Sequence, residues 1–262
     1  MQSFLQKLGL PSIALAISLV QAIAVAEPPA RIDDSKPLDE SIFSPKDFER
    51  GKTVTLFDGR TMRGWKVLNK IDFDKHGRVE VRGGAIEFAR GNPGTGIVMQ
   101  GTPPRLDYEL SLEARRTGGD DFFCGLTFPY RKQHATLILG GWGGKSTGIS
   151  NVNGDAAIEN ETSSFVDFEQ DRWYRIRLRV TSERIRAWVD DEEIVDLATA
   201  GKEFAVWWEQ EPARPLGIVS WHTAASFRKL MLKPVGKDAP KPESESTPPS
   251  KSSPRPAEAP RR

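Results

Sequence analysis

Two segments of this chain alternate apolar and polar side chains without a break, and this pattern limits its fold more than any other feature. In LDYELSLEAR, residues 106–115, every second side chain is apolar, and mostly charged residues lie between them. In WYRIRLRV, residues 173–180, Tyr, Ile, Leu and Val alternate with three arginines. Because successive side chains of a strand point to opposite faces, each segment predicts a half-buried strand. The acidic positions of the first should pair with the arginines of the second on a solvated face.

Short apolar segments separated by turn residues extend this pattern along the chain. They are residues 53–57, 78–81, 85–89, 121–128, 134–140, 184–189, 192–197, 216–221 and 226–235. The one short helix that the sequence predicts is SPKDFERG, residues 44–51, with Ser44 as N-cap and Pro45 in the first turn. About a dozen strands at regular spacing predict an all-β fold, a two-sheet antiparallel jelly-roll sandwich.

The two ends of the chain differ in composition from its middle. Residues 1–26 hold a long apolar run that ends in Ala-Val-Ala, the small-residue pattern of a signal-peptidase site, so we expect export to the periplasm, cell envelope or medium. An uncleaved anchor is the alternative, because the run is almost long enough to cross a bilayer. We expect a flexible segment at 27–41, the sandwich domain at 42–235 and a disordered Pro/Ser/Lys-rich tail at 236–262.

Charge excludes one class of partner. The 37 basic and 36 acidic residues nearly cancel, so nothing predicts a nucleic-acid partner. The tail ends in basic residues, which would allow contact with cell-wall polymer. The sequence does not predict an oligomeric state.

Several segments resemble the 3-keto-disaccharide hydrolase domain family, long known as a domain of unknown function. The resemblance lies in VTLFDGRTMRGWKV, VEVRGGAIEFA, LDYELSLEAR, DRWYRIRLRV, IRAWVDDEEIVD and SFRKLMLKPV, and spans roughly Thr53 to Pro234. It implies a concanavalin A-like lectin/glucanase fold with a ligand groove on a concave sheet. The family's NSG is replaced here by FFCGLTF and its GEWN by QDRWY, so the resemblance leaves catalysis open.

The same resemblance implies chemistry on an oxidised sugar. A 3-keto group acidifies the neighbouring C2 proton, a base removes that proton, and the glycosidic oxygen leaves before water adds. The chain would then cleave a (3-keto-)glycoside. The alternatives are a non-catalytic carbohydrate-binding module of the same fold and an interaction domain at the cell envelope.

The glycine- and asparagine-rich stretch 139–161 is the candidate wall of this groove. Glycines on both sides of Trp142 leave its ring few packing partners, so it is a candidate for stacking on sugar. Asn151 and Asn153 follow as candidate substrate ligands. If residues 156–165 form a strand, Glu159 and Glu161 share one face about 6.6 Å apart. That distance suits a catalytic pair of carboxyl groups.

Two histidines and one more tryptophan complete the candidates. His134 is a candidate general base beside the glutamates, and Trp221 and His222 are candidate substrate contacts. No H-x-H or H-E-x-x-H spacing occurs, so the sequence predicts no dedicated metal site and no cofactor. Weak Ca²⁺ binding by Asp155 with the two asparagines stays open, because their oxygens alternate along the chain. The expected partner is a saccharide.

Overall fold

The computed structural model describes residues 42–236 of this chain. Near its start, helix α1 (Pro45–Glu49) begins where the sequence predicts it. The Ser44 hydroxyl accepts a hydrogen bond from the Asp47 amide at 3.3 Å, which satisfies one of the free amides of the first turn. The predicted segments 1–26 and 27–41 and nearly all of the predicted tail lie outside the described residues.

Antiparallel strands form the rest of the domain. In chain order they are β1 (Val54–Thr55), β2 (Trp65–Val67), β3 (Val79–Arg82), β4 (Ala85–Phe88), β5 (Gly94–Met99), β6 (Tyr108–Gly118), β7 (Cys124–Tyr130), β8 (Gln133–Gly140), β9 (Ser146–Ser150), β10 (Ser164–Phe165), β11 (Tyr174–Val180), β12 (Arg184–Val189), β13 (Glu192–Ala198), β14 (Gly217–Trp221) and β15 (Ala224–Pro234). Two 3₁₀-helices, Ile71–Phe73 and Trp208–Ala213, and a helical turn, Gly141–Gly144, lie between them.

The strands form two sheets. One has eight strands in the order β13-β12-β11-β6-β15-β4-β3, with β1 also paired to β15. The other has seven, in the order β10-β9-β8-β7-β14-β5-β2. One apolar core, to which both sheets contribute side chains, fills the space between them. The prediction of an all-β, two-sheet antiparallel jelly-roll sandwich is confirmed.

The two alternating segments become neighbouring strands, β6 and β11. Tyr174, Ile176, Leu178 and Val180 are buried in the core, as their spacing predicts. On the opposite face, Arg179 lies opposite Glu109 and Arg175 opposite Glu113. The predicted cross-strand register is confirmed, and Arg179 pairs with Glu109. The face is not solvated there, because Glu109 is buried, and the Glu113 carboxylate pairs with Arg228 and Lys229 of β15 instead of Arg175.

The strand predicted for residues 156–165 is wrong over most of its length. Residues 157–162 form turns, and only Ser164 and Phe165 pair with β9, as β10. Asn160 explains the difference, because its side-chain amide donates to the carbonyls of Ile149 and Ala156, both at 2.8 Å. Its oxygen accepts from the Thr162 amide at 2.9 Å. These bonds give the backbone a partner other than a neighbouring strand.

Within residues 42–236, no helix is both long enough and apolar enough to span a bilayer.

Candidate functional site

The outer face of the seven-stranded sheet carries a second apolar cluster, separate from the core. Along β8, Leu137 and Leu139 belong to the core, whereas Ile138 between them belongs to this outer cluster. Val219 of β14 lies on the same outer face, and Trp221 packs against the cluster. An apolar outer face that is partly covered by loops is suited to hold a ligand.

Glycines make the floor of this face flat. A Cβ added to Gly96 would lie 2.6 Å from Cγ1 of Val219, and one added to Gly125 would lie 2.8 Å from Cγ2 of the same side chain. Both distances are too short for carbon atoms in contact. Both positions must therefore be glycine, because the two methyl groups of Val219 occupy the space that a side chain would need.

A cleft of about 330 Å³ opens above this floor. Its lining combines three tryptophans with one phenylalanine, one isoleucine and four polar side chains: Trp142, Trp207, Trp221, Phe122, Ile138, Asp121, Ser150, Glu209 and Gln210. These residues come from the segment just before β7, from β8 and β9, from the turn between them, from the start of the second 3₁₀-helix and the residue before it, and from β14. The sheet thus brings together residues that lie up to a hundred positions apart.

Trp142 is held at the edge of the cleft by an unusual turn. Its backbone has φ 46° and ψ 58°, the left-handed region that bulky residues seldom adopt. The buried Arg116 guanidinium fixes this turn by donating to the carbonyls of Gly140 at 3.2 Å and Gly144 at 2.9 Å. Trp142 keeps 48% of its surface exposed. The turn therefore presents an indole ring to solvent at a defined place.

Trp221 also lines the cleft and is held by other rings. It stacks on Phe122 with ring centroids 6.0 Å apart and planes at 20°. It also meets the edge of Phe73 at 6.3 Å. Aromatic pairs in these arrangements attract each other and restrict ring motion. Trp221 therefore offers a ring of fixed orientation.

Two carboxylates give the cleft hydrogen-bond acceptors, and a buried amide lies beside them. Asp121 Oδ1 accepts from the Phe122 amide at 2.7 Å, which orients the carboxylate. Glu209 lies in the second 3₁₀-helix, and its carboxylate has no hydrogen bond or ion pair with any described residue. Gln210 is only 5% exposed, and its Oε1 has no hydrogen-bond partner within residues 42–236. A buried acceptor without a partner is uncommon and costly in a native fold.

Comparison with known proteins identifies the family. The family model for the 3-keto-alpha-glucoside-1,2-lyase-like domain matches residues 52–233. The chain belongs to this family. The match confirms the resemblance to 3-keto-disaccharide hydrolase domains. No curated protein sequence matches the chain significantly.

Solved structures similar to this lyase-like domain have low sequence identity. A Parabacteroides distasonis protein described as a candidate glycosyl hydrolase is 12% identical, covering 75% of this chain and 100% of its own, with a TM-score of 0.44. A carbohydrate-binding module from Bacillus subtilis is 12% identical, covering 65% and 95%, at 0.38. The Crh5 transglycosylase in complex with NAG is 10% identical, covering 71% and 84%, at 0.48.

In this lyase-like domain, Trp142 and Trp221 are the predicted site residues that line the cleft. Glu159 and Glu161 do not line it, because the turns at 157–162 replace the strand on which they would have shared a face. Glu159 is exposed, and Glu161 forms an ion pair with Lys202. The structure therefore does not bring the predicted glutamate pair to the cleft, and its catalytic role stays a prediction.

Asn151 and Asn153 hold the end of β9 to the segment that leads into the cleft's 3₁₀-helix. The backbone amide of Asn151 donates to the Ala205 carbonyl at 2.8 Å, and the side-chain Oδ1 of Asn151 accepts from the Ser150 hydroxyl at 2.8 Å. Asn153 Oδ1 accepts from the Glu203 amide at 2.9 Å. Both side-chain oxygens considered for Ca²⁺ thus already accept hydrogen bonds. Among residues 42–236, no group of three or more His, Cys, Asp or Glu could hold a metal ion.

The two candidate histidines lie outside the lining of the cleft. His134 is on the outer face of β8, four residues from Ile138, which is about 13 Å along a strand. Burial, with the nearby charges of Arg105 and Arg214, lowers the pKa of His134 to about 4. Its Nε2 has no hydrogen-bond partner among the described residues. The His222 ring meets the Trp221 ring edge-on at 6.2 Å, beside the cleft.

Sequence reasoning missed Asp121, Glu209 and Gln210. A signal was present, since the segment WWEQEP, residues 207–212, places two tryptophans directly before an acid and an amide. The segment has neither strand nor helix periodicity, so no pattern rule indicates which face it covers. Only the fold shows that it lies over the outer face of the seven-stranded sheet.

Proposed function

We propose that this cleft binds a saccharide and that the domain cleaves a 3-keto-glucoside there. The observation that carries the proposal is the convergence of Trp142, Trp207 and Trp221 with two carboxylates in one cleft, on a chain of the lyase-like family. An indole face offers a large flat apolar surface to the C–H side of a sugar ring. The carboxylates offer acceptors to its hydroxyl groups.

Glu209 is the base in this proposal. Its carboxylate has no hydrogen bond or ion pair with a described residue, so its lone pairs are available to a ligand. It would take the C2 proton that the 3-keto group acidifies. The electrons of the C2–H bond then form a C1–C2 double bond, and those of the C1–O bond leave with the glycosidic oxygen. That oxygen takes up a proton, and water later adds across the double bond.

Asp121 would act beside Glu209 as the second carboxyl group of the site. The Phe122 amide fixes one of its oxygens, so the other can accept from a sugar hydroxyl or, when protonated, donate to the leaving oxygen.

A carbohydrate-binding module is the second candidate. One observation favours it: the cleft's polar lining within the described residues is Asp121, Ser150, Glu209 and Gln210, without a histidine, lysine or tyrosine. Such a lining is sufficient for stacking and hydrogen bonding, and leaves acid–base work to the two carboxyl groups alone.

Turnover and binding measured together separate the candidates. The full chain is incubated with 3-keto-α-glucosides and with their parent disaccharides, and sugar release and binding are followed on the same samples. Turnover that is lost in Glu209→Gln and kept in Glu161→Gln, a carboxylate outside the cleft, supports the lyase. Binding without turnover on every substrate supports the module. If the chain neither binds nor cleaves any of these sugars, the proposal is overturned.

The tryptophans provide an independent test of where the sugar lies. Trp142→Ala should weaken binding about fivefold, because one aromatic contact contributes about 1 kcal/mol. Phe165→Ala is the matched control, since Phe165 is 72% exposed on the neighbouring β10 and does not line the cleft. Equal losses in both variants would place the sugar elsewhere.

We also propose that the chain is exported, because a saccharide in the periplasm or outside the cell can bind only a domain that is exported to it. The predicted cleavage after residue 26 is checked by sequencing the N-terminus of the mature chain. Binding of cell-wall polymer by the full chain, compared with a chain ending at residue 236, checks the predicted contact of the C-terminal tail.

A further inference from the structure

We infer that the outer face of the eight-stranded sheet binds an acidic polysaccharide, at a site separate from the cleft. The cleft lies on the other sheet, so this inference does not rest on the function proposed for it. Its grounds are an excess of exposed cations on three neighbouring strands and two arginines whose donors stay open to solvent.

Strands β11, β6 and β15 lie side by side, and together they carry what we call the basic face. Arg179, Glu109 and Lys233 lie opposite one another across these three strands. Because neighbouring strands are about 4.8 Å apart, the basic side chains of β11 and β15 form two rows about 10 Å apart. Seven basic side chains and two carboxylates point outward from the three strands: Arg115, Arg175, Arg177, Arg179, Arg228, Lys229, Lys233, Glu109 and Glu113. Cations therefore outnumber carboxylates on the basic face.

The carboxylates of the basic face lie below its cations. The side chains of Glu109 and Glu113 are 2% and 15% exposed. By contrast, the side chains of Lys229 and Lys233, which pair with them, are 62% and 46% exposed. A ligand that approaches this sheet therefore meets positive charge first, which favours an anion, although the whole chain has a net charge of only +1.

Two arginines of the basic face are held by tryptophans instead of carboxylates. The guanidinium of Arg177 lies 4.5 Å from the centre of the Trp188 ring, and the Glu109 carboxylate, at 3.9 Å, is too far for a hydrogen bond. The guanidinium of Arg115 lies 4.7 Å from the centre of the Trp173 ring. Neither guanidinium donates a hydrogen bond to a described residue.

The donors of these two arginines are accessible to a ligand. Of their unbonded nitrogens, only Nε of Arg115 is buried, so the terminal nitrogens of both side chains reach solvent. An indole face orients a guanidinium without using its N–H groups, which point outward in the plane of the group. Arg115 and Arg177 therefore offer oriented donors that match the oxygens of a carboxylate or sulfate.

The positions of these donors suit a polymer better than a small anion. Trp188 lies opposite Arg177 on β12, whereas Trp173 lies four residues before Arg177, about 13 Å along the strand direction. The two guanidinium groups are held over different indoles, so they do not converge on one small anion. A polymer that carries an anionic group on each repeat can reach both, together with the two rows of cations.

The covered tryptophans of the basic face favour a glycan over a nucleic acid. Arg115 and Arg228 both lie over the ring of Trp173, 4.7 and 4.1 Å from its centre. Arg177 lies in the same way over Trp188, which is buried. Single-stranded nucleic acids bind mainly through bases stacked on open aromatic rings. Acidic groups along a sugar chain need only the cations.

A groove of about 380 Å³ extends the basic face onto β3 and β4. Arg78 and Arg82 line it and are exposed. Their partners, Glu80 and Glu87, are buried and half-buried. Asp171 is an exposed carboxylate of the same lining, and it opposes an anion there. The groove therefore continues the site and contains a residue whose neutralisation should strengthen binding.

Matched polymers measure the preference. Polygalacturonate, dextran sulfate, neutral dextran and double-stranded DNA of similar length are titrated into the full chain and followed by calorimetry at low and at high salt. We expect polygalacturonate or dextran sulfate to bind at least about tenfold tighter than dextran at low salt, and to lose this advantage as salt rises, because binding releases counterions. The two acidic glycans distinguish carboxylate from sulfate as the preferred group, and DNA should bind more weakly than the preferred glycan.

Variants then locate the site. Arg177→Gln and Arg115→Gln should each weaken binding of the preferred glycan about fivefold, because each removes one ionic contact. Lys66→Gln is the matched control, since it removes an exposed positive charge from β2 of the other sheet and should leave binding unchanged. Asp171→Asn should strengthen binding, and it keeps the test open if an arginine variant fails to fold.

Three outcomes would overturn the inference. The first is that neither acidic glycan binds more tightly than neutral dextran. The second is that both arginine variants and Asp171→Asn change binding no more than Lys66→Gln does, which would place the anions elsewhere. The third is that DNA binds as tightly as the preferred glycan, which would make the partner class wrong. None of these results bears on the cleft, which Glu209→Gln tests separately.

Discussion

At the residue scale, the cleft depends on side chains whose surroundings differ from what their types would suggest. Trp142 is a large apolar residue that the fold keeps exposed, in a left-handed turn tied down by Arg116. Gln210 is a polar residue that the fold buries without a partner for its oxygen. Each departure carries a cost to folding, and departures of this kind concentrate where proteins bind ligands.

His134 gives a prediction about pH. Burial and the charges of Arg105 and Arg214 lower the pKa of His134 to about 4, whereas the pKa of histidine in an unfolded chain is about 6.5. Between these values the unfolded state binds more protons, so the free energy of unfolding falls as the pH falls from about 6.5 to about 4. His134→Gln should make this dependence flatter, as measured by urea unfolding at a series of pH values.

Thr136→Ser is the control for this experiment. It changes the same outer face of β8 but removes no titrating group, so it should keep the wild-type pH dependence. If His134→Gln and the wild type show parallel curves across this range, His134 is not the source of the dependence.

At the element scale, Glu109 joins three strands of the eight-stranded sheet. Its carboxylate is 2% exposed and accepts from Arg179 of β11 at 2.8 Å and from Lys233 of β15 at 2.8 Å. Burial alone would raise the pKa of Glu109, but the hydrogen bonds from Lys233 and Arg179 hold it below its ordinary value. The group therefore stays ionised among these cations, with Arg177 of β11 as a third at 3.9 Å.

Glu109→Gln should lower the free energy of unfolding by about 2 kcal/mol, because it removes charged hydrogen bonds from a buried position. Denaturant unfolding measures the loss. Glu193→Gln on β13 is the matched control: its ion pair with Arg186 is partly exposed, so we expect a loss below about 0.5 kcal/mol. Equal losses in the two variants would mean that burial of Glu109 adds nothing.

The long alternating strands could be predicted from the sequence, whereas the turns and the short 3₁₀-helix beside the cleft could not. The strands β6 and β11 were predictable because burial on one face imposes a period of two on the sequence. The segment 156–165 was not, since Asn160 holds its turns through side-chain bonds to Ile149 and Ala156, which leave no periodic trace. Glu209 and Gln210 lie in a 3₁₀-helix of six residues, too short for any period to be read.

At the scale of the whole molecule, the cleft on one sheet depends on packing contributed by the other. The core belongs to both sheets, and Phe227 of β15 lies fully inside it, with its ring 4.9 Å from that of Phe88. Both residues belong to the eight-stranded sheet, opposite the one that carries the cleft. A shared core of this kind makes the two sheets one cooperative unit.

Phe227→Ala should therefore destabilise both sheets by the same amount. Removing a buried phenylalanine costs about 3–5 kcal/mol, so amide protection from hydrogen exchange should fall a hundredfold or more. The fall should be equal in β14, below the cleft, and in β15, where the change is made. Met231→Ala is the control on the same strand, because Met231 is exposed and should change protection little. If β14 kept its protection while β15 lost its own, the sheets would unfold independently, and the cleft would be stable without the core that we assign to it.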